Sequence, residues 1–392
     1  MSRTRVAILG STGSVGRQAL AIVDEHRDRF EVVALQAHAS AARLCEQAAA
    51  FGVGQLALTG APGAERVPPG AGLHTGPDAA LQALEQGRPD VVLNAITGAA
   101  GLAATEWTIR RGLRLALANK ESLVVAGDFL VRLAASTGAT ILPVDSEHCA
   151  IHQCMRSGAR GEVRRIWLTG SGGPFRERDL ATFAAITPQE ALRHPTWTMG
   201  PRITVGSATM MNKAFEVVEA HWLFGLPADR IEVVIHPQSI VHSMVEFVDG
   251  SILAQCGVPD MRVPILYCLG WPDRLPLRFE PFDLRRWSRL EFAPVDRARY
   301  PAIDLAFDVL ARGRDSGAVL NAADEELTRL FLDGSVPFPA ITAIAAAVLR
   351  DRQSRPIRGL ADVHAADAEA RAAAVRCAAT TNPAPNHARS QQ

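Results

Sequence analysis

The segment Val144-Asp145-Ser146-Glu147-His148 sets two carboxylates one residue apart, just beyond an apolar run, Ala139 to Pro143, with the composition of a buried strand. If the segment stays extended, Asp145 and Glu147 project to one face and Ser146 projects elsewhere. Two like charges so placed repel unless something positive lies between them. Oxygen ligands at a strand's carboxyl end suit Mg²⁺ or Mn²⁺ rather than zinc. The alternative is a helix N-terminus, with Asp145 or Ser146 as the cap and the acids facing the helix dipole. A third carboxylate is at hand in Glu216, four residues beyond Asn212 on a stretch that is helix-like from Thr209, so both share one face. Ser207, Asn212 and Lys213 beside it could hold a phosphate, as could Ser171 in the Gly170-Ser-Gly-Gly173 turn, whose backbone N–H groups can wrap an anion.

Other residues carry weaker signals. Lys120 follows a strand end, where it could reach a cofactor or a substrate, or simply pair with Glu121. His148 and His152 stand four apart, a zinc-ligand spacing, but the Glu of H-E-x-x-H is missing, which favours hydrogen-bonded helix histidines. His194 to Pro201 mixes Trp197 and Met199 with Gly and Pro, as a closing lid requires; a loop with its tryptophan in the core has the same composition.

The elements that must position these groups begin at Arg5. There a short apolar strand enters Gly10-Ser11-Thr12-Gly13-Ser14-Val15-Gly16 and continues as a helix, the arrangement that brings a backbone close to a pyrophosphate and meets it with free helix N–H groups. The next strand, Glu31 to Leu35, leads to His38-Ala39-Ser40 and no acid, which favours a cofactor with a 2′-phosphate, met by His38, Ser40 or Arg43. Strand-to-helix units recur at Asp90 to Leu102 and Arg114 to Glu121, predicting a doubly wound parallel sheet that closes near Asp145. Thr59 to Pro77 has loop composition. Ile231 to Gln255 predicts two antiparallel strands around an Asp249-Gly250 hairpin, in a second sheet carrying site residues and an oligomer contact. Trp271 to Leu290 has the proline content of a linker, Tyr300 to Arg350 predicts a small helical bundle, and Thr380 onward a frayed end.

Composition narrows the class. Across 392 residues, 41 Lys+Arg balance 41 Asp+Glu, so no charge excess points to nucleic acid or an anionic membrane. Hydrophobic content of 48% is ordinary for a soluble protein, and no apolar run approaches a membrane span or a signal-peptide core, which predicts a cytoplasmic protein. The six cysteines form no C-x-x-C pair.

Seven motifs in one order, Gly10 to Gly16, Asn94 to Leu102, Ala118 to Ser122, Pro143 to His148, Leu168 to Phe175, Ser207 to Lys213 and His236 to His242, resemble those of the 1-deoxy-D-xylulose 5-phosphate reductoisomerases. The resemblance runs from residue 5 to about 350. It implies a Rossmann-like doubly wound α/β domain for NADPH (residues 1–144), an α+β catalytic and connective domain with metal site, substrate site and lid (145–270), a linker (271–298) and a C-terminal helical domain (299–392). The reaction implied is the NADPH- and Mg²⁺- or Mn²⁺-dependent conversion of 1-deoxy-D-xylulose 5-phosphate into 2-C-methyl-D-erythritol 4-phosphate by a homodimer. On this resemblance the metal ligands, which are also catalytic, are Asp145, Glu147 and Glu216, joined in catalysis by Lys120. Substrate contacts are Ser146, Ser171, His194, Trp197, Ser207, Asn212, Lys213 and His242. Cofactor contacts are Gly10, Ser11, Thr12, Gly13, Ser14, Val15, His38, Ser40, Asn119 and Glu121. Three positions depart from the family pattern: Gly206 for an Asp, His38-Ala39-Ser40 for Gly-x-Asn, and Cys149 for an Asn. The alternatives are a paralogue acting on another phosphorylated or phosphonylated sugar, perhaps with NADH, and a non-catalytic binding protein of this fold.

Overall fold

The computed structural model describes residues 3–60, 67–193, 200–276, 278, 282–283 and 285–381. Its first unit is a seven-stranded, all-parallel sheet. The strands are β1 (Thr4–Leu9), β2 (Phe30–Ala37), β3 (Gln55–Leu58), β4 (Gly72–Thr75), β5 (Val91–Asn94), β6 (Arg114–Leu117) and β7 (Thr140–Pro143). Their order is β4-β3-β2-β1-β5-β6-β7. Helices α1 (Ser14–Glu25), α2 (Ala41–Phe51), α3 (Ala79–Gly87), α4 (Leu102–Arg110) and α5 (Glu121–Thr137) make the crossovers. The inner strands are near-continuous apolar runs because helices cover both faces. Connections leave β1 toward β2 on one side, while β5 lies on the other, so the switch point where such sheets bind ligands falls between β1 and β5. Within the stretch expected to be loop, Gly72–Thr75 adds β4 to the edge.

At Asp145 the extended reading is corrected. Helix α6 (Ser146–Met155) starts immediately, and Asp145 is its cap, its side chain accepting from the backbone N–H groups of Glu147 and His148. Capping satisfies donors that an extended segment would leave to water.

The second sheet, ordered β11-β10-β8-β9-β12, comprises β8 (Val163–Gly170), β9 (Ile231–Ile235), β10 (Val241–Phe247), β11 (Ile252–Cys256) and the short β12 (Ala293–Pro294). β10 and β11 form the expected hairpin. The segment Ile231–Ile235 is a separate strand, parallel to β8. Buried His236 separates the two, its Nε2 accepting from the N–H groups of Ile240 and Val241. Within the stretch expected as linker, β12 pairs with β9. Between β8 and β9 run α7 (Pro188–Ala191), α8 (Pro201–Ala208) and α9 (Met211–Phe224). The helix expected from Thr209 is broken there: Met210 adopts φ +61°, ending one helix and aiming the next.

After α10 (Arg262–Gly270), the chain closes as α11 (Ala302–Arg312), α12 (Ser316–Leu332), α13 (Phe338–Arg350) and α14 (Leu360–Thr381), the helical bundle the periodicity predicts. One hydrophobic core runs from Leu123 and Leu130 of α5 through Val217 of α9 and Leu168 of β8 to Leu327 of α12. Gly317 abuts the Val124 carbonyl so closely that a Cβ would lie 1.9 Å from it. The bundle is thereby packed against the unit that carries the glycine turn.

Candidate active site

The glycine turn sits at the switch point. Gly10 has φ +77°, and a Cβ there would lie 2.6 Å from the Ala95 carbonyl oxygen; at Gly16 a Cβ would meet the Gly10 carbonyl at 2.4 Å. The glycines therefore let β1, the β5 loop and α1 converge. No side chain caps α1 at Gly13, so the first N–H groups of the helix are free for a ligand.

Opposite the turn lies a cleft of about 500 Å³ lined by Lys120, Asp145, Ser146, Glu147, Glu216 and the phosphate-type residues Ser171, Ser207, Asn212 and Lys213. Three oxygen ligands, one each from Asp145, Glu147 and Glu216, lie within 4.8 Å of one another. The first two come from the start of α6 and the third from α9, whose Asn212 Nδ2 donates to Glu216 Oε1 at 2.7 Å. Two ammonium groups are seated among these acids. Lys120 Nζ donates to Asp145 at 2.5 Å and to Glu216 at 3.2 Å. Lys213 Nζ donates to Glu147 at 3.1 Å and also to Glu216. An all-oxygen set of three crowded carboxylates fits a small divalent cation.

Burial penalises every charge here, so the pairing decides the titrations. Burial would raise the Asp145 carboxyl, but Lys120, His148 and Lys213 hold it well below the usual range. For Glu216 burial wins, helped by Asp145 and Glu147, and its pKa is raised despite both lysines. Burial would lower the Lys120 ammonium, yet Asp145 and Glu216 keep it well above its ordinary value. Behind the acids His148 is fully buried, its Nε2 donating to the Glu216 carbonyl at 2.9 Å and its Nδ1 lying 3.1 Å from Asp145. Burial would lower this imidazole too, but Glu219 and Asp145 lift it to about 9. Glu219 lies 3.3 Å from the ring but makes no hydrogen bond to it; burial pushes this carboxyl to about 7. His152 instead meets the Tyr267 hydroxyl, as expected of a hydrogen-bonded helix histidine.

Ser171 follows β8 in a turn with Gly172 at φ +79° and Gly173 at φ +65°, and Gly173 lets this turn lie against Ser207 of α8. His242 is buried on β10, where burial lowers its pKa against the pull of Glu147. At Gly206 a Cβ would make only ordinary contacts, so space does not require the glycine.

Other predicted residues are placed differently. Ser14 and Val15 line the cleft. Ser11 is buried, its hydroxyl donating to Gln47. Thr12 is half-buried in the turn, while His38 and Ser40 are exposed at the carboxyl end of β2, His38 beside Thr59. Asn119 is buried and donates to the carbonyls of Ile96 and Gly98, bracing the β5 loop. Glu121 accepts from the Gly98 N–H and from Arg202. His194 and Trp197 lie outside the described residues. Several cleft residues carry no role in the sequence analysis, namely Ile203, Met210, Ser239 and Pro259 to Met261, while Gly200 ends the stretch read as a lid. Ser239 lies inside the His236 to His242 motif, and its φ of +53° marks a bend that residue type does not announce.

Comparison with known proteins is consistent along the chain. Residues 6–127 match the family model for 1-deoxy-D-xylulose 5-phosphate reductoisomerase, residues 141–224 that of its C-terminal domain, and residues 256–373 a further DXP reductoisomerase C-terminal domain. The enzyme of that name from Anaeromyxobacter sp. (strain K) is 48% identical over 371 residues, 94% of this chain and 95% of that one. Its namesake from Burkholderia multivorans is 47% identical over 94% of both. Among solved structures, the reductoisomerase from Zymomonas mobilis in complex with NADPH aligns with a TM-score of 0.89 at 39% identity, covering 96% of this chain and 99% of that one. A DOX-P reductoisomerase in complex with NADPH, fosmidomycin and magnesium aligns with a TM-score of 0.90 at 34% identity, covering 97% and 99%.

Proposed function

Because the chain belongs to the 1-deoxy-D-xylulose 5-phosphate reductoisomerase family, we propose that its catalytic centre is the cleft where Asp145, Glu147 and Glu216 meet Lys120 and Lys213. The protein is an NADPH- and divalent-metal-dependent enzyme that rearranges 1-deoxy-D-xylulose 5-phosphate and reduces the product to 2-C-methyl-D-erythritol 4-phosphate, an isoprenoid precursor. One observation carries the assignment of the centre: this cleft and the chamber under the glycine turn share Ser14, Val15, Ala118 and Lys120, so a hydride donor and a chelated substrate can meet.

In this reading Asp145, Glu147 and Glu216 hold the metal, which supplies Lewis-acid stabilisation of developing alkoxide and enolate charge. Ser171, Ser207, Asn212 and Lys213 bind the phosphate, anchoring the substrate away from the reacting carbons. Lys120, kept protonated by Asp145 and Glu216, donates to a substrate oxygen, and Ser146 and His242 orient the hydroxyls. His194 and Trp197 belong to a lid that excludes water. Gly10, Thr12, Gly13, Ser14 and Val15 bind the pyrophosphate, with Ser11 bracing their turn. His38 and Ser40 meet the adenosine side, and Asn119 and Glu121 shape the far wall. Residues 1–144, 145–270 and 299–392 act as cofactor, catalytic and supporting parts, with 271–298 between the last two.

The oligomer we propose is a homodimer, supported by edge strand β11, where Ile252 and Leu253 are 51% and 37% exposed. No helix among the described residues is long and apolar enough to cross a membrane, and a phosphorylated substrate with NADPH supports a reading of the reaction as cytoplasmic. The test follows nicotinamide absorbance with 1-deoxy-D-xylulose 5-phosphate. Oxidation of NADPH in preference to NADH, dependent on Mg²⁺ or Mn²⁺ and abolished by excess chelator, is expected. Folded protein that oxidises neither cofactor would shift the assignment to a different phosphorylated sugar.

A further inference from the structure

The chamber under the glycine turn, about 390 Å³, has a wall that none of the roles above uses. It comes from α12 in the bundle. Asp324 lines the chamber, is 3% exposed, and its Oδ1 makes no hydrogen bond among the described residues. A buried polar atom without a partner destabilises the fold, so a ligand that supplies the partner recovers that penalty on binding.

The surroundings hold this side chain in place. Arg202, two residues beyond Gly200, donates to Glu121 at 2.9 Å and to Asn321 of α12 at 2.8 Å, and pairs with Glu325 at 2.5 Å. Glu325 is also bound by Arg371 of α14. Glu121 in turn accepts from the Gly98 N–H. At Gly98, with φ +74°, a Cβ would lie 2.4 Å from Glu325 Oε1, so the glycine admits α12 to the β5 loop. One guanidinium thus fastens the glycine-turn unit, the start of α8 and the bundle around Asp324.

We propose that Asp324 is a further cofactor-binding residue, hydrogen-bonding the carboxamide of the bound nicotinamide. The inference rests on the NADPH assignment above. Charge suits this wall to the neutral end of the dinucleotide: the carboxyl groups of Glu121, Asp324 and Glu325 stand against the guanidiniums of Arg202 and Arg371, which leaves no excess cation for a phosphate and accepts a neutral amide. Burial pushes the Asp324 carboxyl up to about 7, against the pull of Arg202. A protonated carboxyl both donates and accepts, matching a primary amide on both counts. The chamber shares Lys120, Gly200, Ile203 and Asn212 with the substrate cleft, so the reactive ring of a cofactor held here can face the substrate.

Calorimetric titration of the metal-free, substrate-free enzyme tests this, using NADPH and a nicotinamide-free probe, 2′-phosphoadenosine diphosphoribose. Asp324→Ala should weaken NADPH about tenfold, the worth of one good hydrogen bond, and leave the probe unchanged. Asp324→Asn, which keeps a donor and an acceptor, should bind NADPH nearly as the wild type does. A third ligand needs no variant: the 3-acetylpyridine analogue of NADPH, lacking the amide N–H, should bind the wild type more weakly than NADPH does. Equal loss of NADPH and probe in Asp324→Ala, no loss in either, failure of Asp324→Asn to restore binding, or an acetyl analogue as tight as NADPH would each overturn the proposal. If the wild type binds the probe but not NADPH, or neither, the cofactor reading itself fails.

Discussion

The Asp145 cluster and the Arg202 cluster are both built from carboxylates and cations, and both adjoin Lys120-Glu121, yet they handle charge in opposite ways. Around Asp145 the pairings are redundant: Lys120 touches Asp145 and Glu216, while Lys213 touches Glu147 and Glu216. The result is a set of groups whose protons are strongly biased, Asp145 downward and Glu216 upward, at the wall of an open cleft. Around Arg202 each bond joins segments distant in sequence, 81 residues apart to Glu121 and 119 to Asn321. Redundancy lets a ligand replace a contact without loosening the fold. Single long-range bonds do not allow this.

Asp145→Asn should separate the two behaviours most sharply. Asparagine still caps α6, so the melting temperature should stay within a few degrees, whereas a lost metal ligand should lower kcat by at least about 10³-fold, several kcal/mol of transition-state stabilisation. Steady-state kinetics beside thermal melts measure both at once. A variant that loses stability as fast as activity would make the Asp145 cluster structural and erase the contrast.

Arg202→Met tests the other side. It leaves the buried Glu121 without its cation, while part-buried Glu325 keeps Arg371, a loss of about 3–5 kcal/mol for a broken buried pair. Denaturant unfolding should show this loss, and Glu121→Gln added to it should recover part by removing one stranded charge. An unchanged unfolding midpoint with collapsed turnover would mean that Arg202 acts on the chemistry and not on the assembly.

What the sequence revealed follows the same division. The glycine turn, the three acids and the lysines were readable because their meaning is local: spacing puts Asn212 and Glu216 on one face, and only glycine can occupy φ +77° beside the Ala95 carbonyl. The cap at Asp145 was readable beside the extended reading but not separable from it, since a short apolar strand running into a polar residue looks the same whether it continues or turns into a helix. The break at Met210 had no signal, because methionine is an ordinary helix former and its positive φ is imposed by tertiary packing. Arg202, Asp324 and Glu325 sit in stretches whose local pattern is that of helix surface, and nothing within ten residues of any of them names its partner. Resemblance carried the substrate; only the folded chain joins α12 to the glycine-turn chamber.

The smallest effect expected comes from the seam between the clusters. Asp324 faces Arg202 on α8, Glu121 on α5 and Glu325 on its own helix, and burial raises its carboxyl from 3.8 to about 7. Between those values the folded protein keeps a proton that the unfolded chain has released. The folded state therefore binds more protons, and this group's contribution to stability falls as pH rises through the window, levelling off above about 7. Asp324→Asn has no such proton to lose. Its melting temperature should exceed that of the wild type by a margin that widens between pH 5 and pH 8, reaching about 3–5 °C, with other titrations cancelling in the difference. A gap that stays constant with pH, or narrows, would mean that Arg202 already holds Asp324 as a carboxylate, and the Arg202 cluster would then be as charge-crowded as the one around Asp145.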